Sequence, residues 1–316
     1  MKRHEFLSAA HEKLQPRNYL EIGINDGRGL QRSNTRTIGV DPAFKITAEF
    51  ECDVQMVKAT SDDFFARPDA IARFPEGVLD FAFIDGMHLF EFALRDFMNI
   101  ERLSARCSVV IFDDMLPRTV SEAARDRHTY AWAGDVYKVI PVLERYRPDL
   151  VVVPLDTWPT GLLLVAGLDP TNTVLRDNYD AILAEHVVDD PQPVPQDILQ
   201  RSTAADAARV LDSPVWAAVQ AARAGGERPS GLEALAELRG TASYTFDPPD
   251  PKPWPPTPAK PAPQAKPAAQ AKPAGKAAPA EVAPADAAKV LAREAQVQAR
   301  RLAGRARRGL RKVTDR

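Results

Sequence analysis

Leu79-Asp80-Phe81-Ala82-Phe83-Ile84-Asp85 and Ser108-Val109-Val110-Ile111-Phe112-Asp113-Asp114 decide the fold. A strand with one wet face alternates apolar and polar residues. These two are apolar at successive positions, as strands covered by helices on both faces are. Short apolar runs of the same kind lie on either side, at Tyr19–Gly23, Thr37–Asp41, Gln55–Ala59, Leu150–Leu155 and Gly161–Gly167. Between them Leu89–Leu103 carries apolar residues at Leu89, Phe92, Ala93, Phe97 and Ile100, and Val136–Tyr146 repeats that helical spacing. Glu5–Leu14 and Thr173–Glu185 complete the helices. Strand and helix in alternation predict an α/β fold with a mostly parallel sheet.

Residues 1–185 are expected to form this domain, with 186–246 a small helical appendage around Ala204–Leu211, Pro214–Ala224 and Leu232–Leu238. Thirteen of the 28 prolines fall between Pro248 and Pro284, where large apolar residues are nearly absent. Such a stretch cannot bury enough surface to offset its ordering entropy, so 247–285 reads as a disordered Pro/Ala/Lys linker and 286–316 as a basic tail, helical or disordered.

Charge divides the chain more sharply than its net −2 suggests. Asp247 to Arg316 carries 15 Lys and Arg against 6 Asp and Glu, and Met1 to Phe246 carries 26 against 37. An acidic body is not a dedicated nucleic-acid-binding domain. The tail suits an anionic partner, whether membrane surface, nucleic acid or acidic protein, or is a solvated extension. It has no aromatic residue to stack on bases, which disfavours sequence-specific RNA recognition. Two cysteines, Cys52 and Cys107, make no disulfide framework or metal knuckle. Neither a signal peptide nor a membrane-length apolar run is legible, so the cytoplasm is the expected location.

In open parallel sheets ligands bind beyond the carboxyl ends of the strands. Four predicted strands end there in acids: Glu21 with Gly23, then Asp41, Asp85 and Asp113-Asp114. The turn Gly23-Ile24-Asn25-Asp26-Gly27-Arg28-Gly29 is spaced G-x-x-x-G-x-G, unlike the loop that wraps a dinucleotide pyrophosphate. An acid two positions before its first glycine suits a ligand bearing an amino group. A plain tight turn is the other reading. Asp41 is placed to accept from ribose hydroxyls, which a nicotinamide fold would also use. If the fourth and fifth strands end level, Asp85, Asp113 and Asp114 converge and repel unless a cation neutralises them. Hard oxygen donors favour Mg²⁺ or Ca²⁺ over zinc. Helix capping by Asp113 or Asp114 is the alternative.

Glu21-Ile22-Gly23 with its turn, Ile38-Gly39-Val40-Asp41, Phe83-Ile84-Asp85-Gly86-Met87-His88 followed by Glu91 and Asp96, and Val110-Ile111-Phe112-Asp113-Asp114 resemble class I methyltransferases. More narrowly they are similar to the branch with the macrolide and aminocoumarin sugar O-methyltransferases and the cephalosporin-hydroxylase-like proteins. The resemblance covers residues 1–185. It implies a seven-stranded Rossmann-like sheet with an antiparallel last strand, and S-adenosylmethionine as cofactor. Glu21, Gly23 and Gly27 would line its methionine end, Asp41 its ribose, and Ser61 and Asp62 its adenine. Asp85, also counted among the cofactor contacts, would hold Mg²⁺ with Asp113 and Asp114, and His88 would be the base beside it. Gly134-Asp135-Val136 and Thr160-Gly161-Leu162 look like the same branch. One departure is the short stretch from Gly29 to Arg36, which predicts an abbreviated first crossover.

The implied reaction is methylation of a small hydroxylated acceptor: a sugar, a catechol-like ring or another natural product. Arg118–Tyr137, with Arg125, Arg127, Tyr130 and Trp132, is a candidate substrate lid. His4, His11, His128 and His186 are expected to be structural or solvent-facing. Two other readings stand beside this one, an NAD-dependent oxidoreductase and a non-catalytic methyltransferase-like scaffold tethered by its basic tail.

Overall fold

The computed structural model describes residues 1–242 and 252–253; the expected linker and basic tail lie outside them. Seven strands are found: β1 Asn18–Ile22, β2 Arg36–Val40, β3 Val54–Val57, β4 Leu79–Ile84, β5 Ser104–Phe112, β6 Val151–Leu155 and β7 Leu162–Ala166. They form one sheet in the order β3-β2-β1-β4-β5-β7-β6. β1 pairs in parallel with both β2 and β4, and β7 runs antiparallel to β5 and β6. This is the Rossmann-like, mostly parallel seven-stranded sheet expected from the sequence. β5 begins four residues before its expected start, because Ser108 folds back to bond Leu79 and a bulge lets Ser104 join the ladder.

Strand parity builds a core on each face. Ala82, Ile84, Val110 and Phe112 meet α2 (Ser61–Phe65), α3 (Phe90–Arg102) and α4 (Val139–Tyr146). The short helices α5 (Val174–Asp177), α6 (Tyr179–His186) and α7 (Gln196–Leu199) add Leu175, Ile182 and Ile198 to that face. Phe81, Phe83, Val109 and Ile111 point the other way, onto α1 (Arg3–Leu14), α8 (Ala207–Leu211), α9 (Val215–Ala222) and α10 (Glu233–Ala236). Both faces are dry, which is why the strand sequences do not alternate. The first crossover has only a single turn of 3₁₀ helix at Leu30–Arg32, the abbreviation expected from its length. No helix among the described residues is long and apolar enough to cross a membrane.

His11 shows how dry the second core is. It is 1% exposed, its ring lies 4.6 Å from Tyr19 and 5.0 Å from Phe81, and neither nitrogen has a hydrogen-bond partner. Burial lowers its pKa from 6.5 to about 4. The folded value lies below the unfolded one, so the neutral ring's contribution is complete above pH 6.5 and is lost as pH falls towards 4. The shift corresponds to about 3 kcal/mol. Urea unfolding between pH 7.5 and 4.5 is expected to show a loss of that order, and His11→Leu to reduce it. An equal loss in the variant would place the acid sensitivity elsewhere.

Candidate active site

The strand order reverses between β1 and β4, and the candidate residues gather beyond that edge. Gly23 leaves β1 with φ +89°, and a Cβ there would stand 1.8 Å from the carbonyl oxygen of Asp85. Only glycine lets the two strand ends approach this closely. Gly27, also at positive φ, turns the loop against Phe50 and Ile46. Asp41 holds that loop in place: its carboxylate accepts from the backbone N–H of Asn25 at 2.9 Å and of Ala43 at 2.6 Å.

Glu21 shares the α1 face of β1 with Tyr19 and is buried. The Tyr19 hydroxyl donates to its Oε2 at 2.8 Å, and Oε1 occupies the space that a side chain at Gly29 would fill. Burial, offset in part by the Tyr19 bond and reinforced by Asp85, raises the Glu21 pKa to about 8. A carboxyl poised in this way favours a neighbouring ammonium group, which would restore its ionised form.

Asp85, His88 and Asp114 form a second group, with ligand atoms all within 4.8 Å of one another. Asp114 takes φ +62°, which turns its carboxylate off the line of β5 towards His88. His88 Nδ1 lies 3.0 Å from Asp114 Oδ2 and 2.7 Å from the Trp132 carbonyl oxygen, and Nε2 lies 3.5 Å from Asp85 Oδ1. Burial alone would lower the His88 pKa, but the Asp114 and Asp85 carboxylates outweigh it and hold the value well above 6.5. Asp114 is lowered in turn, its burial overcome by His88 and by the Thr160 hydroxyl, which donates to it. Both imidazole nitrogens therefore face acceptors.

Asp113 takes a different direction. It has the same strand parity as Val109 and Ile111, so its buried carboxylate faces α1 and meets the Arg3 guanidinium, which also lies 3.4 Å from Asp85 Oδ2. Sequence reasoning missed Arg3. The signal was available in that parity, shared by Phe83 and Asp85, and in the amphipathic helix that covers this face.

Of the two residues expected at the adenine, Ser61 opens α2 and its hydroxyl bonds buried Asp96, whose pKa burial raises to about 7. Asp62 is held by Arg95 through two hydrogen bonds of 2.9 and 2.7 Å. The candidate lid folds against the site from the other side. Trp132 stacks on His88 with ring centroids 5.2 Å apart, and a Cβ at Gly134 would strike the His88 carbonyl. Arg125 bonds Glu91 and Asp135, so it braces the lid.

Residues 9–115 match the family model of a methyltransferase domain, about a third of the chain. This part of the chain is similar to a methyltransferase domain. The matched span includes Glu21, Gly23, Gly27, Asp41, Ser61, Asp62, Asp85, His88, Asp113 and Asp114. No curated protein matches the chain. Among solved structures it is similar to an O-methyltransferase from Bacillus cereus in complex with S-adenosylhomocysteine, at 17% identity over 52% of this chain and 79% of that one, with a TM-score of 0.37. It is also similar to the O-methyltransferase TomG from Streptomyces achromogenes in complex with S-adenosylmethionine, at 18% identity over 53% and 80%, with a TM-score of 0.38. Likeness at this level does not identify an acceptor or a metal.

Proposed function

We propose that this methyltransferase transfers the methyl group of S-adenosylmethionine to a hydroxyl of a small acceptor, with a divalent cation at the sheet edge. The observation that carries the reading is the meeting of two groups across the β1–β4 reversal, Glu21, Gly23 and Asp41 on one side and Asp85, His88 and Asp114 on the other. Glu21, with the clearance left by Gly29, suits the cofactor's amino group. The remaining lone pairs of the Asp41 carboxylate, each of whose oxygens accepts one bond from the loop, suit the ribose, and the Ser61 end of α2 the adenine. Asp62 would reach the adenine only by leaving Arg95.

The donor chemistry at the second group fits a divalent cation. Asp85 and Asp114 offer oxygens beside one another, Asp113 follows on the same edge, and His88 adds a nitrogen. An all-oxygen set with Asp113 favours Mg²⁺, and a set with His88 also admits Mn²⁺. A cation there supplies positive charge that lowers the pKa of an acceptor hydroxyl beside it. Asp85 and Asp114 would hold such a cation, and His88 beside them would be the group to take the acceptor's proton. The lid brings Trp132 against His88, where it restricts water. An acceptor with adjacent oxygens, such as a catechol-like ring, a sugar or a natural product, suits such an edge. Two free thiols, Cys52 and Cys107, suit a reducing compartment such as the cytoplasm.

The test is methyl transfer from labelled S-adenosylmethionine to a panel of vicinal diols and catechols, with Mg²⁺, with Mn²⁺ and with chelator. Turnover that chelation lowers by about a hundredfold supports the reading. Turnover indifferent to chelation would remove the cation. No transfer to any hydroxylated acceptor, alongside tight cofactor binding, would favour the tethered scaffold.

A further inference from the structure

The helix that covers the second core begins at the catalytic edge. Its first turn is pinned there: the Arg3 N–H donates to the Trp158 carbonyl at 3.0 Å, and Glu5 accepts from the Lys2 N–H at 2.8 Å. From this anchored backbone the Arg3 side chain reaches Asp113 and Asp85 together. The two ends of the contact differ in their access to water. The Asp113 side chain is 1% exposed, and that of Arg3 is 29% exposed. A buried carboxylate without a partner is costly. A guanidinium on a flexible, partly exposed stem can leave for solvent at little cost.

The charges around the edge sharpen the point. The carboxylates of Asp85, Asp113 and Asp114 gather at this edge, with the Arg3 guanidinium against the first two and His88 against Asp85 and Asp114. The chain thus neutralises most of its own carboxylate cluster, with Arg3 covering the two carboxylates that point to the α1 face. We propose that Arg3 is a built-in counter-cation, seated on Asp113 and Asp85 when no divalent ion is bound and displaced when one binds. The inference rests on the cation site proposed above. It makes Arg3 a positioning residue that holds the buried Asp113 carboxylate at the edge, and sets the concentration of cation needed to load the site.

The test is calorimetric titration of the full chain with Mn²⁺ alone, comparing wild type, Arg3→Gln and Arg3→Lys, with thermal melting in chelator and in Mn²⁺. Removing one positive charge from the edge is expected to tighten Mn²⁺ binding about tenfold in Arg3→Gln. The same variant is expected to melt below wild type in chelator and to gain more from Mn²⁺ than wild type does. Arg3→Lys keeps the charge and is expected to bind Mn²⁺ within about threefold of wild type. The proposal is overturned if wild type binds Mn²⁺ and Arg3→Gln binds it equally or more weakly. It is also overturned if Arg3→Lys matches Arg3→Gln, because charge would then not be the cause. If neither wild type nor Arg3→Gln binds Mn²⁺, the cation site itself is gone and the proposal falls with it.

Discussion

Asp114→Asn is expected to lower methyl transfer by about a hundredfold to ten-thousandfold, the range seen when proton transfer loses its positioned partner, while cofactor affinity stays close to wild type. The substitution is nearly isosteric. Asparagine tolerates the left-handed backbone that Asp114 adopts at φ +62°, and its amide oxygen can still accept from the Thr160 hydroxyl. What disappears is the charge that faces His88 at 3.0 Å. That charge helps to hold the imidazole's pKa well above 6.5, so the variant's His88 should titrate lower, visible by NMR. It is also one oxygen donor fewer for a divalent cation. Steady-state kinetics with S-adenosylmethionine and any active acceptor would measure the loss. Turnover equal to wild type would take Asp114 out of the chemistry, leaving it as a strut between Thr160 and His88.

Gly23→Ala is expected to weaken S-adenosylhomocysteine binding at least about a hundredfold and to lower stability by about 3 kcal/mol. Two costs combine at this position. An alanine at φ +89° is strained wherever it sits, and its Cβ would lie 1.8 Å from the Asp85 carbonyl oxygen, so the ends of β1 and β4 must separate. The separation moves the backbone that carries Glu21 away from the one that carries Asp85, so both halves of the site are disturbed. Gly77→Ala is the matched control, since it also has positive φ but nothing within 4 Å of the added carbon. If Gly23→Ala behaves like that control, the close approach of the two strand ends does not build the cofactor site.

The sheet was legible because its chemistry is repetitive. Phe81 to Ile84 and Val109 to Phe112 are apolar on both faces because each face meets its own helices, and that pattern survives without knowledge of any partner. The acids at the strand ends were legible for the same reason, since a charge that interrupts an apolar run marks where the strand leaves the core. Side-chain destinations across long sequence separations were not. Asp113 was legible as one of three carboxylates at this edge, but its contact with Arg3, in a different element more than a hundred residues earlier, was not. Asp62 was placed at the adenine from its position after β3, but an arginine on α3 engages it. The Tyr19 bond to Glu21 was hidden because both residues sit in what reads as a plain apolar strand. Within the candidate lid, the ion pairs of Arg125 with Glu91 and Asp135 were not legible either. In each case the missing information was which face an element presents, and that follows from packing.

The most direct test of the cofactor site is calorimetric titration of the full chain with S-adenosylhomocysteine, with NADH as the control ligand. Glu21, the Gly23 turn and Asp41 are expected to give a dissociation constant in the range of about 1–100 μM for S-adenosylhomocysteine, corresponding to roughly −8 to −5 kcal/mol, and no heat with NADH. Binding of NADH alone, or of neither ligand, would contradict the assignment of this edge to a methyl donor.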